Sequence, residues 1–153
     1  MNAILAILKN TGNLVNGCLV FPFALKIENG SWMPLCIEHI GQGPHGLEAI
    51  SVCHYGEQNG DAMRDPEMIF EFFHDALSNK PTLAPYYWRN DYVGIEQESI
   101  WKDDQGRLWT RPGQVRQHKA FAKIWNANLK HQGFVEASKP KPEEKQLDLC
   151  PTT

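Results

Sequence analysis

The sequence predicts an α+β domain: a hairpin-built antiparallel sheet of about five or six strands, with a C-terminal amphipathic helix and a short N-terminal helix packed on it. Three observations predict it. Apolar residues alternate with polar ones between Leu19 and Ile40, Asn-Gly dipeptides punctuate the strand-like runs, and one long stretch after Pro112-Gly113 has helical spacing.

The chain opens on Ala3-Ile4-Leu5-Ala6-Ile7-Leu8, followed at once by Lys9-Asn10. This run lacks a preceding basic region and is short for a signal core, so it reads as a buried or amphipathic first helix. Phe21, Phe23, Leu25 and Ile27 then share one parity, and Met33, Leu35 and Ile37 share another run of it, with Glu28-Asn29-Gly30-Ser31 between them. Asn-Gly accepts positive φ at both central positions of a tight turn and so predicts a hairpin there. After the loop Gly41-Gln42-Gly43-Pro44-His45-Gly46, the β-rich run Ala49–Tyr55 and the apolar run Met68–Phe73 form a second hairpin across Gln58-Asn59-Gly60-Asp61. Pro66 has no N–H for a ladder, which predicts an irregular return strand from Asp61 to Pro66, with a bulge or wide loop, and regular pairing beyond.

A third extended region, Tyr92–Trp101, leads to Asp103-Asp104-Gln105-Gly106 and then Arg107-Leu108-Trp109, which predicts another turn at Gly106. The helix that follows runs to about His131, with Gly133 at the left-handed cap position. Its core face is expected to hold Phe121, Ile124, Trp125 and Leu129, and Arg116, Lys119, Lys123 and Lys130 gather on the opposite side. Residues 1–136 are thus expected to form a single domain. Residues 137–153, with Lys139-Pro140-Lys141-Pro142-Glu143-Glu144-Lys145, are expected to be a disordered tail.

With 153 residues, 42% hydrophobic and 22% charged, the chain has the composition of one globular domain. A formal net charge of -3 argues against a protein that coats nucleic acid by bulk charge and leaves room for a local basic patch. No stretch approaches the ~18 uninterrupted apolar residues of a membrane helix. Cys18, Cys36, Cys53 and Cys150 are scattered in a chain with no export signal, which points to reduced thiols and the cytoplasm.

Three residue sets carry potential chemistry. Cys36, His39, Cys53 and His54 are zinc-type ligands, but odd separations on a strand send side chains to opposite faces, so buried thiols and a hydrogen-bonded His54 are the preferred reading. The acids Glu57, Asp61, Asp65 and Glu67, with Glu71 and Asp75 beyond, would suit a hard cation and a metal-dependent nuclease if they converged. Acids in turns serve as caps and solvated surface as well. The segment from Gly106 to Val135 contains Arg107, Arg111, Arg116, Lys119, Lys123 and Lys130 and no acid, a face that would follow phosphates. Tyr86, Trp88, Trp101 and Trp109 are set aside as base-stacking groups for want of an alternating basic-aromatic strand. What remains is a dipolar molecule with acid and base on separate elements, a pattern that steers partners.

At His54-Tyr55-Gly56-Glu57-Gln58-Asn59-Gly60-Asp61, followed by Asp65-Pro66-Glu67-Met68, the chain resembles an uncharacterised family of small proteins from bacterial phages, plasmids and integrated elements. The similarity continues through Asn90-Asp91-Tyr92-Val93-Gly94-Ile95-Glu96-Gln97-Glu98 and a block from Phe121 to Phe134. The resemblance implies a mobile-element setting and carries no catalytic residue onto these positions. With it, the leading expectation is a non-enzymatic binding protein, such as an inhibitor of host defence, that presents Glu57, Asp61, Asp65 and Glu67 to a basic surface on a protein or nucleoprotein partner. A nucleic-acid-binding accessory protein using Arg116, Lys119, Lys123 and Lys130 comes second, and the nuclease third. No catalytic set, metal, cofactor or membrane partner is assigned.

Overall fold

The computed structural model describes residues 1–142. The elements run α1 (Asn2–Asn10), β1 (Leu14–Val15), β2 (Cys18–Leu19), β3 (Ala24–Asn29), β4 (Trp32–Gln42), β5 (Glu48–Gln58), β6 (Asp61–His74) and β7 (Pro81–Asn90), then β8 (Ile95–Glu98), β9 (Ile100–Lys102), β10 (Leu108–Thr110), α2 (Pro112–His131) and α3 (Phe134–Ala137). Strands β3 to β8 form a six-stranded antiparallel sheet in sequence order, and β1–β2 and β9–β10 are separate two-stranded hairpins. The α+β, hairpin-built architecture expected from the sequence is the one observed. No helix among the described residues is long and apolar enough to cross a membrane.

Turn chemistry sets the registers. Asn59 and Gly60 both take positive φ between the closing pair Gln58 and Asp61, as a two-residue hairpin with matching twist requires. In the first hairpin the closing pair is Asn29 and Trp32, one residue later than expected, and of Asn29 and Gly30 only Gly30 takes positive φ. Pairing along β5–β6 is regular from Asp61 to Arg64 and shifts between Arg64 and Glu67, so the irregularity is confined to Asp65-Pro66 instead of filling Asp61–Pro66. Strand β7 has no counterpart in the sequence reading, because Pro81 and Pro85 break its pattern. Pro81 opens the strand, and Pro85 sits beside a bulge in which Tyr86 is the extra residue between the pairs Ile69–Tyr87 and Phe70–Pro85.

Alternation divides the sheet into two unlike faces. Leu35, Ile37, Ile50, Val52, Met68 and Phe70 are fully buried on one face, in one cluster with Ile4, Ile7 and Leu8 of α1, Trp125 and Leu129 of α2, and Phe134 of α3. The opposite face carries two transverse rows of directly paired residues. One is Lys26, Cys36, Cys53, Glu67, Arg89 and Glu96, and the other is Ala24, Glu38, Ser51, Ile69, Tyr87 and Glu98. The buried residues of α1, α2 and α3 all join the cluster on the apolar face.

Helix α2 is rotated slightly from the expected orientation. Its buried residues are His118, Ala122, Trp125 and Leu129, whereas Ile124, expected in the core, is 61% exposed. At about 100° per residue Ile124 lies well off the arc defined by His118, Trp125 and Leu129, which a single turn-by-turn stripe keeps together. Gly133 takes the left-handed conformation expected of it and starts α3. Ser138, within the expected tail, is buried, and its hydroxyl accepts a hydrogen bond from Asn10 Nδ2 at 3.0 Å, so the folded body extends past residue 136. Residues 143–153, including Cys150 and most of the expected tail, lie outside the described residues.

Two buried histidines tie this packing to pH. His54 donates from Nδ1 to the Met33 and Pro34 carbonyls at 3.1 and 3.2 Å and packs its ring 5.6 Å from Trp125 and 5.4 Å from Phe134. His118 lies between Ser99 Oγ, 3.1 Å from Nδ1, and Gln97 Oε1, 3.3 Å from Nε2, a pair that suits a neutral ring accepting from one and donating to the other. Burial lowers both imidazoles below the usual histidine value. Between the lowered folded values and the unfolded value near ~6.5, the unfolded chain binds more protons, so stability rises with pH through that window and is lost on acidification. Urea unfolding at pH 7.5 and 5.5 should show lower stability at 5.5, and His118→Gln should reduce the difference; equal stability at both pH values would contradict this packing.

Candidate functional site

Parity separates the zinc-type ligands as the sequence implied. Cys36 and Cys53 face one another directly across β4–β5 on the polar side of the sheet, whereas His54 pairs with Leu35 and His39 with Ile50 on the apolar side. Cys53 is buried, and desolvation first, with the Glu67 charge next, pushes its thiol up to about 12, which keeps it protonated and unreactive.

The acidic set does not converge. Glu57 and Asp61 stand exposed beside the β5–β6 turn, with no side-chain partner among the described residues. Asp65 accepts from Asn90 Nδ2 at 2.7 Å. Glu67 accepts from Ser51 Oγ at 2.8 Å, and its other oxygen lies 2.9 Å from Arg64 Nε, a charge contact whose angle does not make a hydrogen bond. Arg64 and Arg89 both meet Asp91, which accepts the Arg64 backbone N–H at 2.9 Å and Arg89 Nε at 2.7 Å. Asp75 accepts from Leu77 N and Ser78 N and closes its own turn. Glu71 is buried under His45. Among the described residues no group of three or more His, Cys, Asp or Glu is placed to hold a metal ion.

The basic residues are arranged otherwise. Arg116, Lys119, Lys123 and Lys130 are all exposed and project from one flank of α2 with no ion pair among the described residues. At 100° per residue they fall within an arc of about 60°. Lys119 and Lys123 also border a cleft of about 490 Å³ between α2, Asn2 and the start of β7.

Immediately before this helix, β9 and β10 bring Trp101 and Trp109 directly opposite one another. Trp109 in the middle of β10 and Arg107 and Arg111, which flank the strand, occupy alternate positions. The Arg111 guanidinium carbon lies 4.4 Å from the centroid of Trp101, and that of Arg107 lies 5.8 Å from Trp109. Asp103 fixes the turn: Oδ1 accepts from the Gln105 and Arg107 backbone N–H groups, and Oδ2 accepts from Trp109 Nε1 at 2.9 Å and Arg107 Nε at 2.7 Å. The Trp109 hydrogen bond, with those of Arg107 and Gln105, holds the Asp103 carboxyl at about 2. One carboxylate therefore orients an indole and a guanidinium that both remain open to solvent, Trp109 at 47%.

Sequence reasoning missed this arrangement although its signal is present. Arg107-Leu108-Trp109-Thr110-Arg111, centred on β10, alternates basic and aromatic side chains, although its arginines also read as the start of the acid-free segment that continues into α2. What no local pattern conveys is the Trp101–Trp109 register, which depends on the turn at Gly106.

Removal of Glu67 should cost about 1–3 kcal/mol, since it strips partners from Ser51 and Arg64. Glu57→Ala and Asp61→Ala should each stay within about 0.5 kcal/mol. Urea denaturation of the three variants distinguishes the acid built into the sheet from the acids at its tip; equal losses would contradict the separation described.

The family model for the domain of unknown function DUF6908 matches residues 2–135 of the chain. No curated protein and no solved structure matches it.

Proposed function

The chain belongs to the DUF6908 family, and from that premise we propose that it is a non-enzymatic binding protein for single-stranded nucleic acid. The observation that carries this reading is the cross-strand pair of half-buried Trp101 and exposed Trp109, with a guanidinium against each ring. Every base offers a π-face, so indoles at a fixed cross-strand spacing accept successive bases without selecting sequence, and arginines beside them reach the phosphates. Arg116, Lys119, Lys123 and Lys130 extend the positive field along α2, which begins two residues after β10. With a net charge of -3 the chain has no bulk attraction for phosphate, so binding rests on this local basic segment. The resemblance around His54–Asp61 supports a role as an accessory protein of a mobile element, and the free thiols Cys18, Cys36 and Cys53 support a cytoplasmic setting.

Glu57 and Asp61, unpaired among the described residues at the β5–β6 tip, favour a second reading, in which the acidic hairpin docks on a basic surface of a host-defence complex and inhibits it. Asp65 and Glu67 contribute little to that pole, because each already has a partner within the sheet.

Fluorescence anisotropy of a labelled single-stranded oligonucleotide tests the first reading. Binding should weaken linearly in log affinity with log salt. Trp101→Ala and Trp109→Ala should each weaken it by about 1–3 kcal/mol, and reversing Arg116, Lys119 and Lys123 to Glu should flatten the salt dependence. No binding at low salt sinks the reading and leaves capture of a protein partner by the acidic tip as the alternative to pursue.

A further inference from the structure

The polar face of the sheet holds a buried carboxylate, hydrogen-bonded to a histidine, that the nucleic-acid reading does not use. Glu71 on β6 has a side chain only 4% exposed, and it accepts two hydrogen bonds from His45: from the backbone N–H to Oε1 at 2.7 Å and from Nδ1 to Oε2 at 2.5 Å. The loop Gly41–Leu47 is shaped to make this contact. Gly43 N donates to Leu47 O at 2.8 Å, Gly46 N to Gly43 O at 3.0 Å, and a Cβ on Gly43 would overlap the Glu71 side chain. A carboxylate that accepts from Nδ1 fixes the proton there. Nε2, which has no partner among the described residues, is then the free edge of a ring whose side chain is 42% exposed.

His45 and Glu71 border a cleft of about 340 Å³ whose remaining walls are Leu47, Phe73, Ala84, Tyr86 and Ile100. It adjoins a second cleft of about 330 Å³ that shares Tyr86 and Ile100 and is closed by Gln42, Trp101 and Lys102 among others. Tyr86 is the bulge residue of β7, the device by which a strand turns a side chain away from its normal alternation. Burial, with the charges of Glu71 and Glu98, pushes its phenol up to about 12, so it remains a hydrogen-bond donor, and the hydroxyl has no partner among the described residues. Trp101 belongs both to this paired cleft and to the arginine-stacked hairpin.

We propose that the cleft beside His45 and Tyr86 receives one unstacked nucleobase of the single strand bound on the Trp101–Trp109 hairpin. This inference rests on the nucleic-acid reading and adds a base-recognition site to it. The apolar walls of Leu47, Phe73, Ala84 and Ile100 take the faces of a planar ring. His45 Nε2 and the Tyr86 hydroxyl supply one acceptor and one donor for its edge, and Lys102, on the wall of the adjoining cleft, supplies a cation for the attached phosphate. A flipped base is a planar, edge-polar ligand, which matches a small apolar cleft with a histidine and a tyrosine on its wall better than a linear anion does.

Leu47 is 39% exposed on its loop, so Leu47→Trp fills the cleft without touching the core. With the full chain and a labelled single-stranded oligonucleotide, Leu47→Trp and His45→Ala should each lower affinity about tenfold. Neither should change affinity for an abasic strand of the same length, whereas reversing Arg116, Lys119 and Lys123 to Glu weakens both. Leu47→Trp binding the base-bearing strand as tightly as wild type overturns the cleft. Should wild type bind no strand, the proposed function falls by itself, and titration of adenosine 5′-monophosphate followed on the His45 ring resonances decides the cleft: a saturable shift abolished by Leu47→Trp sustains a nucleotide site, and no shift at millimolar ligand ends it.

Discussion

Burial of the α2 stripe His118, Ala122, Trp125 and Leu129 on one face of the six-stranded sheet is the constraint on which the rest of the molecule depends. It consumes the apolar parity of β3 to β7 and requires α1 and α3 to close the same side. It leaves the other parity, with its rows of lysine, cysteine, glutamate and arginine, to be satisfied by cross-strand partners alone. The same rotation sets Arg116, Lys119, Lys123 and Lys130 on an outer flank of a helix that begins two residues after β10.

Acid and base meet different fates for physical reasons. The acids of β6 lie on the half-buried sheet face, where an unpaired carboxylate is costly, and Glu67 and Glu71 have accordingly been matched with Arg64, Ser51 and His45. Arg116, Lys119, Lys123 and Lys130 of α2 project into water, where a lone guanidinium or ammonium carries no such penalty, and they have no ion pair among the described residues. The dipole inferred from sequence is therefore asymmetric: the positive end is available to a ligand, whereas much of the negative end is spent inside the fold. This asymmetry moves the functional reading from the acidic turn to the tryptophan hairpin.

Much of the fold was legible because its signals are local. The Asn59-Gly60 turn, the Gly106 turn, the parity of β3 to β6 and the limits of α2 all follow from turn residues and periodicity within a dozen positions. Strand β7 was hidden because its two prolines mimic a loop, and their tolerance depends on a strand start and a bulge that only pairing with β6 creates. Ile124 was misplaced because an apolar residue adjacent to Trp125 looks like core until the arc of the helix is fixed by Leu129 and His118. The site was less legible than the fold. Trp101 opposite Trp109 and His45 over Glu71 are contacts between elements, and no spacing in the chain announces either.

The most direct test of the account is a ¹H–¹⁵N spectrum of the full chain titrated with a single-stranded oligonucleotide, read at the indole Nε1–H signals. Trp101 and Trp109 should shift together with the Arg107–Arg111 amides, while the buried Trp125 stays in place. Shifts confined to the amides around Glu57 and Asp61, or none at any concentration that saturates a weak electrostatic site, would contradict it.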